Sequence, residues 1–196
     1  EVVRPSVDRL RIGQRVDWRQ EMAWAVEVLQ AHRGVVADIA CGSGAVGVRA
    51  ARGDRFERLY CVDRSEPLLA QCVRRSEMAR LGCPVVLLRA DARYLPLADA
   101  ILDAAHVRFG ASLWRGAQQL MAELARVVKP GGEVVASAAS GGGSLRGLAA
   151  RTLMGRTAGF SLPSLERVRA RCEGAGFGDV QVQRRAGMMR LRMIRS

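Results

Sequence analysis

The sequence predicts an α/β fold built on a doubly wound, mostly parallel sheet. Three observations carry this. Short apolar runs alternate with helix-prone segments, a glycine turn closes the first run, and only Ala186-Gly187 separates the last two runs. Alternating strand and helix patterns argue parallel pairing through crossover helices. A two-residue connection allows only an antiparallel hairpin, so one strand is reversed.

The elements follow in order. Helices are expected at Arg19–His32, Gly44–Arg52, Glu66–Leu81, Gly116–Val128 and Pro163–Ala175. Strands are expected at Val35–Ala40, Arg58–Asp63, Val85–Ala90, Ile101–Val107, Glu133–Ala139, Asp179–Arg185 and Met189–Arg195. The chain of 196 residues is expected to be one domain. Within it, residues 1–33 would supply N-terminal cap helices and residues 140–163 a short lid-like insertion. The stretch Ser140-Gly141-Gly142-Gly143-Ser144 is flexible by composition.

The first strand runs into Asp38-Ile39-Ala40-Cys41-Gly42-Ser43-Gly44 and then a helix. Gly42 and Gly44 have no side chains, so a ligand can press against the turn backbone. The following helix directs free N–H groups and its positive dipole end at that ligand. Asp63 lies 21 residues beyond Gly42, at the end of the second strand. A carboxylate there can accept from both hydroxyls of a ribose. The glycines alone are ambiguous: Gly42, Gly44 and Gly47 also fit the dinucleotide spacing. Asp38 shifts the reading, because a carboxylate at the strand end suits a cationic ligand and repels a pyrophosphate.

Further motifs follow: Asp91-Ala92-Arg93-Tyr94-Leu95-Pro96-Leu97, Ile101-Leu102-Asp103-Ala104-Ala105, and Arg126-Val127-Val128-Lys129-Pro130-Gly131-Gly132. The series resembles the class I S-adenosylmethionine-dependent methyltransferases. Their fold is a Rossmann-like seven-stranded sheet, mostly parallel with one antiparallel strand. The resemblance implies S-adenosylmethionine as cofactor and S-adenosylhomocysteine as product. It also implies cofactor contacts at Asp38, Ala40, Cys41, Gly42, Gly44, Asp63, Arg64, Asp91, Ala92 and Val107, with Asp91 accepting from the adenine amine. A finer resemblance is to the ubiquinone/menaquinone biosynthesis C-methyltransferases. It rests on Leu10 to Met22, on Phe109-Gly110, and on the tail from Gly176-Phe177 to Met189. Two departures fall on the acceptor side. Ala111-Ser112 replaces the family's Arg-Asn pair, and the segment Ser140–Pro163 is short. The implied activity is methyl transfer to a small molecule, with C-methylation of a prenylated quinol as its specific form. Methylation of RNA or protein, and a non-catalytic S-adenosylmethionine-binding module, remain open alternatives.

Composition bounds the partners. The net charge is +12, from 31 Lys and Arg against 19 acids. Such a balance fits an anionic membrane surface, an acidic substrate or nucleic acid. The arginines are dispersed and only 5% of residues are aromatic, which disfavours a nucleic-acid platform. No apolar run approaches the roughly 20 residues of a spanning helix, and the N-terminal residues show no signal region. The expectation is a cytoplasmic protein with peripheral contact at the inner membrane face; the oligomeric state is not readable. The five cysteines form no C-x-x-C pair, so free buried thiols and no metal are expected.

Methyl transfer demands alignment and exclusion of water more than acid–base chemistry. Only the nucleophile needs a base, for instance to take a phenolic proton. His106, near the end of the fourth strand, is the candidate; a pocket-lining or sheet-satisfied histidine is the alternative. His32, at a helix end before Gly34, reads as a capping residue.

Overall fold

The computed structural model describes residues 18–109, 116–139, 164–185 and 188–196. Seven strands form one sheet: β1 (Gly34–Ile39), β2 (Phe56–Asp63), β3 (Val85–Arg89), β4 (Leu102–Phe109), β5 (Val128–Ala139), β6 (Phe177–Arg185) and β7 (Met188–Arg195). Their order is β3-β2-β1-β4-β5-β7-β6. β1 to β5 pair in parallel, and β7 pairs antiparallel to both β5 and β6. The helices are α1 (Trp18–Gln30), α2 (Gly47–Ala50, continued as a 3-10 turn at Ala51–Gly53), α3 (Glu66–Ala79), α4 (Ala117–Val127) and α5 (Leu165–Gly174). The expected doubly wound sheet with one reversed strand is what the chain forms.

The sheet buries both faces. On one face Ala37, Ile39, Val107, Val134 and Ala136 pack against α4 and α5. α4 contributes Ala117, Leu120, Met121 and Leu124, all at most 3% exposed and spaced i, i+3, i+4, i+7. On the other face Val36, Leu59, Cys61 and Ala104 pack under α1, α2 and α3.

Motif residues downstream of the glycine turn brace this frame. Asp103 accepts from the Val35 backbone N–H at 2.7 Å and from Lys129 Nζ at 2.6 Å, joining β1, β4 and β5. Arg126 donates to the Leu95 and Leu97 carbonyls and pairs with Glu123 and Asp99, pinning the loop after Asp91. A Cβ at Gly132 would stand 2.9 Å from the Asp103 carbonyl oxygen, so the backbone crosses there only without a side chain.

α1 is held to the sheet by charge as well as by Ala25, Val26 and Leu29. Glu21 accepts from Arg190 Nε at 2.8 Å, with both side chains buried, and the Arg190 guanidinium lies 4.6 Å over the Trp24 ring. At the other end of α1, His32 Nε2 sits 2.9 Å from Glu133 Oε2, and Arg192 also donates to Glu133. The capping reading of His32 is therefore corrected: its ring reaches across to β5.

Two elements start three or more residues from where they are expected; the other boundaries shift by at most two. α2 starts at Gly47 rather than Gly44, because Gly44 has φ +73° and cannot begin a right-handed helix. β5 starts at Val128 rather than Glu133, since Val128 already pairs with Leu102 before an irregularity in the ladder. The Leu10–Asp17 part of the N-terminal motif, Ala111-Ser112, the 140–163 insertion and the Ala186-Gly187 turn lie outside the described residues.

Candidate functional site

The glycine turn leaves β1 through left-handed backbone at Ala40, Gly42 and Gly44, with φ of +55°, +56° and +73°. Asp63 fixes it from the neighbouring strand. One carboxylate oxygen accepts from the Gly42 N–H at 2.7 Å and the other from the Ser65 N–H at 2.9 Å. A carboxylate offers about four lone-pair sites, so two stay open on this half-buried side chain. Arg75 on α3 clamps the turn from the far side, donating to the Ser43 carbonyl at 2.8 Å and its hydroxyl at 3.0 Å. Gly44 lies against Cys72; a Cβ there would come 2.4 Å from Sγ.

Asp63, Arg64 and Asp91 come together at the ends of β2 and β3. Arg64 Nη1 lies 3.5 Å from Asp91, and Arg93 grips the same carboxylate at 2.7 and 3.0 Å. The Arg93 guanidinium holds the Asp91 carboxyl at about 2. Asp91 is thus a charged acceptor already engaged by arginine, which the sequence reading did not foresee. Ala92 and Val107 are placed in the core at 4% and 0% exposure, and Cys41 is likewise buried.

Asp38 is the main revision. Its carboxylate does not face the turn's open side, where the sequence placed it against a cationic ligand. It is 1% exposed and points inward. One oxygen accepts from the Gly47 N–H at 2.8 Å; the other lies 2.8 Å from His106 Nδ1. β1 and β4 pair in register, with Asp38 opposite His106, which sets this contact. An ionised carboxylate only accepts, so Nδ1 carries the proton. In the neutral ring Nε2 then keeps its lone pair.

That Nε2 has no partner. Among the described residues, the buried side-chain atoms without one are His106 Nε2 and Glu21 Oε1. Both residues line one small cavity with Met22, Ala25, Val46, Arg108 and Ser137. Its volume of ≈ 10 Å³ is about that of one water molecule. Glu21 escaped the sequence reading, although a signal existed. It falls on the stripe Glu21, Ala25, Leu29, which is otherwise apolar, and an acid on a buried stripe needs a partner.

A family model described as "Methyltransferase domain" matches residues 36–132, the span that holds β1 to β5. The chain carries a methyltransferase domain. Among curated proteins, this methyltransferase domain is 34% identical over 127 residues to the demethylmenaquinone methyltransferase of Thermobifida fusca, covering 64% of the chain and 51% of the relative. It is 31% identical over 136 residues to an uncharacterized chloroplastic methyltransferase of Arabidopsis thaliana, covering 61% and 38%. The chain therefore spans about half or less of the length of these relatives. Among solved structures, phosphoethanolamine N-methyltransferase 2 of Haemonchus contortus in complex with S-adenosylmethionine superposes with a TM-score of 0.74. That match is 16% identical and covers 91% of this chain and 52% of the other. The likeness is one of fold. No helix among the described residues is long and apolar enough to cross a membrane.

Proposed function

We propose that the domain transfers a methyl group from S-adenosylmethionine to a small aromatic hydroxyl compound, with a prenylated quinol methylated on ring carbon as the specific acceptor. The observation that carries this is the buried Asp38–His106 pair with an unpartnered Nε2. The relatives' names support the acceptor: besides the demethylmenaquinone enzyme, a 2-phytyl-1,4-naphtoquinone methyltransferase of Nostoc punctiforme is 33% identical over 126 residues.

The residues present fit the cofactor. The left-handed turn at Gly42 and Gly44 lets a ligand approach the backbone, and Asp63 retains acceptor sites for ribose hydroxyls. S-adenosylmethionine supplies an already electrophilic methyl group. What the chain must add is alignment, dryness and a proton acceptor. Asp38 orients His106 and fixes its tautomer. Nε2 receives the acceptor's hydroxyl proton, which raises the electron density of the ring carbon beside it. That transfer runs through a water in the cavity, which accepts the hydroxyl proton while passing one of its own to Nε2; Glu21 Oε1 can accept its other hydrogen. The arginine-rich exterior suits an anionic membrane surface, where the prenylated acceptor resides; each basic residue close to the bilayer contributes roughly 1 kcal/mol.

The test is ring-carbon methylation of a demethylquinol, read by mass spectrometry, together with sedimentation on anionic liposomes. His106→Asn puts an amide N–H where Nδ1 stands, which keeps a donor for Asp38, and removes the basic nitrogen. Turnover should fall by about 10²–10⁴-fold, the usual contribution of a positioned base, with cofactor affinity unchanged. No product from any quinol would overturn the acceptor assignment. Asp63→Ala probes the cofactor site separately: calorimetry should show S-adenosylmethionine binding weakened by about 1–3 kcal/mol, as loss of a charged acceptor does. Unchanged affinity would remove Asp63 from the site.

A further inference from the structure

Behind the glycine turn, three thiols converge from three elements. Cys41 belongs to the turn itself, Cys61 to β2 and Cys72 to α3. Their Sγ atoms all lie within 4.8 Å of one another. All three are free thiols, at most 3% exposed. Asp38 opposite Cys61 fixes one side of this pocket, and Gly44 closes another by resting on Cys72 Sγ.

The spacing is that of a metal site. Three sulfurs around one ion at a bond length of about 2.3 Å stand about 4 Å apart, so these thiols can converge on an ion with sub-ångström shifts. The ligand count selects the ion. Structural zinc takes four ligands, and the cluster offers three among the described residues. The Asp38 carboxylate is not among the converging ligand atoms; its oxygens lie 2.8 Å from the Gly47 N–H and from His106 Nδ1. An all-sulfur, three-coordinate, water-free pocket favours a soft monovalent ion.

We propose that Cys41, Cys61 and Cys72 form a trigonal three-sulfur site for a thiophilic monovalent cation of the Cu(I) class, seated directly behind the cofactor turn. Binding forms three metal–sulfur bonds and releases the thiol protons to solvent; no electron is transferred. The site does not depend on which molecule accepts the methyl group.

The experiment is anaerobic titration of the reduced full chain with Cu(I) against a chromophoric Cu(I) chelator, with X-ray absorption on the loaded protein. One ion per chain with three sulfur neighbours near 2.3 Å is expected, and the unfolding midpoint should rise on loading. Cys61→Ser and Cys72→Ser should each weaken Cu(I) binding by more than the roughly 10–100-fold that loss of an outer-shell partner costs. Cys172→Ser, on α5 across the sheet, should leave it unchanged. Circular dichroism and S-adenosylmethionine binding verify that each variant is folded. Two-coordinate copper, or equal affinity in folded Cys61→Ser and the parent, would overturn the proposal.

Discussion

Asp38→Asn should yield a folded, cofactor-binding domain that has lost most of its methyl transfer. The asparagine is isosteric, and its carbonyl oxygen can still accept from the Gly47 N–H, the bond that sets the start of α2. Its amide must then face His106 Nδ1, where the native carboxylate accepts. A donor there makes Nδ1 the acceptor and moves the ring proton to Nε2. The atom proposed to take the acceptor's proton no longer has a lone pair. In a serine-protease triad the same exchange inverts the tautomer and lowers turnover about 10⁴-fold. Here a loss of at least about 10²-fold is expected, at unchanged S-adenosylmethionine affinity. Asp38→Ala should behave differently. It leaves the Gly47 N–H and the His106 Nδ1–H buried without partners, and each such orphaned donor costs about 1–3 kcal/mol. For a chain of this size the two together are on the order of 10 °C in the unfolding midpoint. Nitrogen NMR of the imidazole reads the tautomer directly. Full turnover in a tautomer-inverted Asn variant would show that His106 is not the base.

The same aspartate shows how far the sequence speaks. Its position at the end of the first strand was legible, because apolar runs and a glycine turn report strand ends. Its direction was not. Whether a residue at a strand's end faces ligand or core depends on the neighbour across the sheet, here His106, 68 positions away. Asp63 was easier: its strand-end place after the second run brings it to the turn, and Gly42 reaches it. Arg75 and Arg93 were invisible, since an arginine on a helix or loop reads as solvated until its partner is placed. The thiol cluster joins positions separated by 20 and 11 residues on three elements, which no local spacing rule describes. Motif residues of the downstream half were legible as a set, but their physical work is bracing: Asp103, Arg126 and Lys129 bind strands and loop together.

Acid should loosen the seat of α1 through one carboxylate, Glu133. Burial by itself raises its pKa, yet hydrogen bonds from His32 and Arg192 outweigh burial and hold it at about 2, against 4.5 for an ordinary glutamate. A folded-state value below the unfolded one means that the unfolded chain binds the proton more readily. The stabilisation is therefore complete above about pH 4.5 and is lost as pH falls towards 2. At 1.36 kcal/mol per unit, the full contribution is on the order of 3 kcal/mol. Glu133→Gln removes the titrating group while keeping the side-chain volume. Urea midpoints measured from pH 6 to pH 2 should show the native protein well above the Gln variant at the upper end, with the gap closing through this window. His32→Ala removes one of the two donors and should narrow the gap above about pH 4.5, where it is widest. A gap independent of pH would mean that packing, and not the charge on Glu133, holds the C-terminal end of α1 against β5 and β7.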